Sequence, residues 1–175
     1  REISKEITGF SGAQIANLLN EASIQAARKN QTKIYSNDIV DCIDKITMGF
    51  EKPTVFSDKQ KKLIAYHEAG HALVGFLNKD FDEKISKISI IPRSNGAGGF
   101  TKFLPSDESL NGIQSQKYLK AKLSVMLGGR CAEKIVFGDN SVTSGASSDI
   151  KVASELSYNM IKNLGFGSTR IIRDD

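Results

Sequence analysis

His67-Glu68-Ala69-Gly70-His71 holds the only two histidines of the 175-residue chain, four positions apart, with a glutamate beside the first. On an α-helix, residues i and i+4 lie about 40° apart around the axis, so both imidazoles share one face. Two such imidazoles can bind one zinc ion, and Glu68 is placed to reach a water on it. Zinc lowers the pKa of its water to about 7 and polarises a carbonyl as a Lewis acid. A carboxylate at Glu68 can then take the water proton and pass it to a leaving amine. The pattern points to zinc-dependent peptide hydrolysis, against the plainer alternative of two histidines on a helix surface or satisfied in a core.

A catalytic zinc needs a third protein ligand and one open position. With no third histidine, a carboxylate must serve if the ligand set lies within this chain. Asp149 opens the last helical segment after the small-residue loop 143–148, where a backbone can approach a metal closely. Its ordinary role would be to complement a helix N-terminus. Glu133 follows Gly128-Gly129-Arg130 on another long helix, where its ordinary role would be a surface charge or a partner for Arg130. Spacing alone does not choose between the two.

The elements that must carry these groups follow from apolar periodicity. Ile15, Leu18, Leu19, Ala22, Ala26 and Ala27 predict a helix over 12–30 with Ser11 as N-cap. A second begins at Ser36 or Asn37, with Ile39, Val40, Ile43 and Ile46 on one face. Gly49, Pro53 and the polar stretch around Ser57 break the pattern and mark a domain boundary. Beyond it, Asp58 to Leu77 reads as one helix, with Leu63, Ile64, Ala65, Ala72, Leu73 and Phe76 as its apolar contacts. Residues 84–91 and 100–104 read as two strands around a glycine turn, 114–137 as a helix pausing at Gly128-Gly129, and 149–164 as a final helix after a loop. The fold class is mainly α with a small β-hairpin or sheet.

Composition excludes several other classes. Apolar content of 39% and charged content of 25% are those of a globular chain. The net charge of +4 comes from dispersed lysines with no basic stripe, so no nucleic-acid partner is expected. Lys59, Lys61 and Lys62 form the one tight basic cluster and read as an exposed first helical turn. Cys42 and Cys131 lack any CxxC spacing and read as two buried free thiols. No apolar run reaches the 18 or so residues needed to cross a bilayer. The chain is expected to be a soluble piece of a longer protein.

Several ordered motifs resemble a known family. These are Thr8-Gly9-Phe10-Ser11-Gly12-Ala13 with residues 17–22 (NLLNEA), then residues 65–74 (AYHEAGHALV). Residues 88–93 (ISIIPR), 127–130 (LGGR) and 144–146 (SGA) with Asp149-Ile150 follow in order. Together they resemble FtsH, the membrane-anchored ATP-dependent zinc proteases of bacteria, mitochondria and plastids; residues 137–143 (FGDNSVT) look closest to the cyanobacterial and plastid branch.

The resemblance implies that residues 1–50 are the helical lid of an AAA ATPase module, 51–57 a linker, and 58–175 a zincin-type peptidase domain that stops short at its C-terminus. It implies one zinc ion per subunit with Asp149 as third ligand, Glu133 in a supporting role, and Gly12-Ala13 as a lid turn near nucleotide. The family commonly has a second acid after that glutamate, where this chain has Lys134. ATP and magnesium belong to the whole protein; the Walker motifs are absent here, so this chain alone is not expected to bind them. The implied partners are unfolded or damaged proteins and a homo- or hetero-hexameric ring. The implied location is the plastid thylakoid, the mitochondrial inner membrane or the bacterial inner membrane. An extended substrate is expected to add along an edge near 85–91 or 100–104, where backbone hydrogen bonds bind without sequence preference. The competing reading is a non-proteolytic homologue serving as an assembly module of such a ring; intact His67, Glu68, His71 and Asp149 argue against it.

Overall fold

A computed structural model describes residues 2–167; the first residue and 168–175, the outer ends of the two expected domains, lie outside the described residues. The elements are α1 (Glu2–Glu6), α2 (Gly12–Arg28), α3 (Ser36–Met48), α4 (Asp58–Leu77), β1 (Lys84–Ser89), β2 (Phe100–Leu104), α5 (Asp107–Leu110), α6 (Gln116–Phe137) and α7 (Ser147–Lys162). Two 3-10 turns, Asp139–Ser141 and Ser144–Ala146, occupy the loop between α6 and α7. The chain forms two compact units. One comprises residues up to Val55 together with Ile91–Gly98, and the other Phe56–Ile90 and the chain from Gly99 onward.

In the first unit the Ser11 hydroxyl accepts from Gln14 N–H while the Gln14 side chain accepts from Ser11 N–H, closing a capping box at the start of α2. Leu18 and Ala22 of α2 meet Cys42 and Ile43 of α3 in a core flanked by Ile3, Ile7, Phe10, Ile39 and Ile46. The segment 91–98 joins this unit through an antiparallel bridge between Glu51 and Arg93. Lys52 N–H donates to Pro92 O at 2.8 Å, and Ser94 N–H to Phe50 O at 2.8 Å.

In the second unit Phe81, Tyr118, Leu119, Ala121, Val125 and Met160 form the core, with Val74, Phe103, Leu123, Leu156 and Phe166 against it. β1 and β2 pair antiparallel from Lys84↔Leu104 to Ser89↔Phe100, with an irregularity between Ile85 and Lys87. Three expectations give way here. Helix α6 does not pause at Gly128-Gly129; it runs unbroken through them, because those glycines face α4 across a close helix crossing. On α4, Leu73 and Phe76 are 59% and 77% exposed. The helix instead buries His67, Glu68, Gly70, His71, Ala72 and Gly75, so its inward face is polar and small rather than apolar. Cys42 is buried as expected, but Cys131 is exposed on the outward side of α6.

Candidate metal centre

Helix α4 starts at Ser57, whose hydroxyl accepts from Gln60 N–H, and carries His67 and His71 one turn apart on the face turned to α6. Close approach there depends on missing side chains. A Cβ at Gly70 would fall on the Gly128 carbonyl oxygen and 2.7 Å from the Ala132 Cβ; one at Gly128 would fall 2.7 Å from the Gly70 oxygen. With both helices bare at the crossing, backbone meets backbone and the histidine rings reach across.

Each ring is held from behind. His71 Nδ1–H donates to the Val125 carbonyl at 2.7 Å, and His67 Nδ1–H donates to Glu133 Oε1 at 2.7 Å. A carbonyl can only accept, so His71 carries its proton on Nδ1; the Glu133 carboxylate fixes His67 in the same tautomer. Both Nε2 lone pairs therefore point into one space. His67 Nε2 lies 3.0 Å from His71 Nε2 and 3.1 Å from Asp149 Oδ2, which is 3.5 Å from His71 Nε2.

Three electron-pair donors at such distances repel one another unless a cation or shared protons lie between them. A tetrahedral zinc with ligands at about 2.0–2.1 Å sets neighbouring donors about 3.3 Å apart, which this triangle matches. Gly129 leaves the room: a Cβ there would stand 2.5 Å from His67 Nε2 and 2.6 Å from His71 Nε2. His67, His71 and Asp149 are the one such metal-capable cluster among the described residues. The donor set thus fits the ion that the sequence pattern implies.

The same donor triangle also attracts protons, which compete with a cation for the Nε2 atoms. Burial opposes protonation of His67, but hydrogen bonds to Asp149 and Glu133 outweigh it and raise its pKa. His71 is raised the same way, burial being outweighed by Asp149 and the Val125 carbonyl. Burial would raise Asp149, yet its hydrogen bonds with both histidines hold it well below the usual carboxylate range. Glu68 moves upward through burial, with the Thr101 hydroxyl opposing part of the rise.

Of the two carboxylates between which spacing did not choose, Asp149 stands among the ring nitrogens and Glu133 on the far side of His67. Glu133 is wholly buried (0% exposed) and its Oε2 accepts from Thr143 N–H at 2.8 Å and Thr143 Oγ1–H at 3.1 Å. Lys134 turns outward to pair with Asp139 at 2.9 Å, away from this network. Gly12 and Ala13 sit exposed in the first turn of α2 in the other unit. The sequence reading missed Val125, Thr143 and Thr101 as partners of the site residues; a carbonyl and two threonine hydroxyls leave no motif of their own.

Two histidines one turn apart, an aspartate closing the donor set and a buried glutamate in the same motif define the class: a metallopeptidase centre. A profile of peptidase family M41 matches residues 54–172, and an AAA+ lid domain profile matches residues 1–41. The chain belongs to peptidase family M41. It is 48% identical over 167 residues to an ATP-dependent zinc metalloprotease FTSH, chloroplastic, of Capsicum annuum, covering 94% of this chain and 25% of that protein. It is 48% identical over 166 residues to ATP-dependent zinc metalloprotease FtsH 3 of Synechocystis sp., covering 94% and 27%. A chloroplastic relative of Nicotiana tabacum is 47% identical over 167 residues, covering 94% and 23%. The chain thus spans about a quarter of the length of these relatives.

Proposed function

We propose that the chain carries the catalytic unit of a zinc metalloendopeptidase that cuts unfolded protein chains, with His67, His71 and Asp149 holding the metal and Glu68 as general base. The convergence of two Nε2 lone pairs and Asp149 Oδ2 within 3.0–3.5 Å of one another carries this reading. When bound, zinc supplies the acidity that makes a water nucleophilic at neutral pH and polarises the scissile carbonyl. Glu68 takes the proton of the attacking water and returns it to the departing amine. Burial shifts its carboxyl upward, the direction that eases return of the proton to the amine. Glu133 and the Val125 carbonyl keep both rings in the ligating tautomer.

The wider architecture is proposed with it. Residues 1–50 form the lid of an AAA+ module, with Gly12-Ala13 near nucleotide; 51–57 link it to a peptidase domain over 58–175. ATP hydrolysis on a ring of such subunits feeds the site; the relatives are named as ATP-dependent. The whole protein works at a plastid or bacterial membrane, although no helix among the described residues is long and apolar enough to cross one.

Replacement of Glu68 by Gln tests the assignment. Cleavage of an unfolded casein substrate should fall by about 10²–10⁴-fold with zinc content unchanged, the range a general base contributes. Undiminished cleavage would sink the enzymatic reading and favour an assembly role.

A further inference from the structure

We infer that Thr101 is the positioning residue for the general base: its hydroxyl fixes the Glu68 carboxylate so that Oε1 is the atom left to take the proton. The inference rests on Glu68 being the base. Thr101 lies in β2 opposite Ile88, and its Oγ1 stands 2.9 Å from Glu68 Oε2 and 2.9 Å from the Glu68 carbonyl oxygen. A hydroxyl has one proton. A mid-helix carbonyl already accepts from the amide four residues on, so the carboxylate has the stronger claim on it.

With Oε2 so engaged, Oε1 is the carboxylate oxygen that no described donor holds, and so the one open to a water proton. The approach of the strand is built in at Gly99, two residues earlier. A Cβ there would meet Ile64 Cγ2 at 2.8 Å, Glu68 Cγ at 3.1 Å and the Ser89 oxygen at 2.7 Å. The bare backbone at Gly99 lets β2 press against α4 at the base itself, and it brings the Thr101 hydroxyl within reach. A glutamate on a helix otherwise samples several rotamers. A base that must meet a water at hydrogen-bond distance loses rate for every rotamer that points elsewhere.

The test compares Thr101→Val, which keeps the branched shape and removes the hydroxyl, with Thr101→Ser, which restores the hydroxyl. Both are measured as zinc-loaded protein on an unfolded fluorogenic peptide, alongside Glu68→Gln. Thr101→Val should lower kcat by about 10–100-fold, the loss seen when a reacting group is misplaced, with KM, zinc stoichiometry and melting temperature unchanged. Thr101→Ser should recover most of kcat. Wild-type kcat in Thr101→Val while Glu68→Gln is inactive overturns the inference and leaves the base assignment standing. Equal impairment of the Val and Ser variants, or a joint fall in melting temperature and zinc content, assigns Thr101 to packing and overturns it too. Full cleavage by Glu68→Gln removes the base and the inference with it.

Discussion

Adding one methyl group at Gly129 separates metal binding from folding. The new Cβ would stand 2.5 Å from His67 Nε2 and 2.6 Å from His71 Nε2, whereas ordinary contact begins at 3.4 Å. The rings must therefore retreat by 0.9 Å (3.4 − 2.5) and 0.8 Å (3.4 − 2.6). A zinc site tolerates ligand displacements of about 0.2 Å, so the triangle is lost. Neither ring can swing aside freely, since each Nδ1–H is tied at 2.7 Å to Glu133 or Val125. Overpacking costs about 1–3 kcal/mol, but glycine to alanine inside a helix returns about 1 kcal/mol of propensity. The zinc-free Gly129→Ala protein should thus lose no more than about 2 kcal/mol of stability, by the same two magnitudes. Zinc affinity should fall by at least about 100-fold, the upper end for disturbed ligand support. Competition with a chromophoric chelator reads the affinity, and urea unfolding of the chelated protein reads the stability. Wild-type zinc affinity in Gly129→Ala would refute the placement of the metal against α6.

Other perturbations address the supports of the same centre. Gly70→Ala and Gly128→Ala each drive a Cβ into facing backbone, which cannot yield as a side chain can. Each should cost at least about 2 kcal/mol by chemical denaturation, and the double variant less than the sum, because the first change already parts the helices. Glu133→Gln replaces one acceptor oxygen with an NH₂ that faces either His67 Nδ1–H or the Thr143 donors; zinc affinity measured by chelator competition should drop about 10–100-fold. The raised pKa values of His67 and His71 give the zinc-free protein stability that is fully present below the unfolded value of 6.5 and lost as pH rises through the folded values. Protons and zinc compete for the same Nε2 atoms. The gap in melting temperature between zinc-loaded and chelated protein should therefore widen as pH is raised from 6 to 8 (about two units around the imidazole range), and a gap that narrows contradicts the assignment.

The motif in α4 was legible because helical spacing alone converts i and i+4 into a shared face, and its boundaries followed from Ser57 and the apolar run. Strand β2 and the N-cap at Ser11 were legible for similar local reasons. What escaped was everything set by the other partner of a contact. Gly128-Gly129 read as a weakness in α6 because what faces them lies far back in the chain: Gly70 against Gly128, and the His67 and His71 rings against Gly129. Leu73 and Phe76 read as core because apolar type is a proxy for burial, and the proxy fails on a helix whose inward face is its chemistry. Spacing could not choose between Asp149 and Glu133, and the family resemblance made the choice; in three dimensions both approach His67, one on each side of the ring.

That two-sided grip on His67 explains why an acid that does not face the metal space is the one most deeply buried. A carboxylate at Glu133 that lost its donors would be an uncompensated charge in the interior, so Thr143 N–H and Oγ1–H support the proposed metal centre although they touch no ligand-binding atom. Thr143 Oγ1 also accepts from Gly145 N–H, capping the 3-10 turn that leads directly into α7 and Asp149. One threonine thus orders both the group behind His67 and the approach of the third donor. The consequence is a coupling between two proposed ligands contributed by different helices: loosening the 143–146 turn should weaken the site at His67 and at Asp149 together. Thr143→Val should therefore lose more zinc affinity than Glu133→Gln, which leaves the turn's own cap in place. Chelator competition on the two variants decides the order, and a smaller loss in Thr143→Val would show that the turn holds Asp149 without its cap.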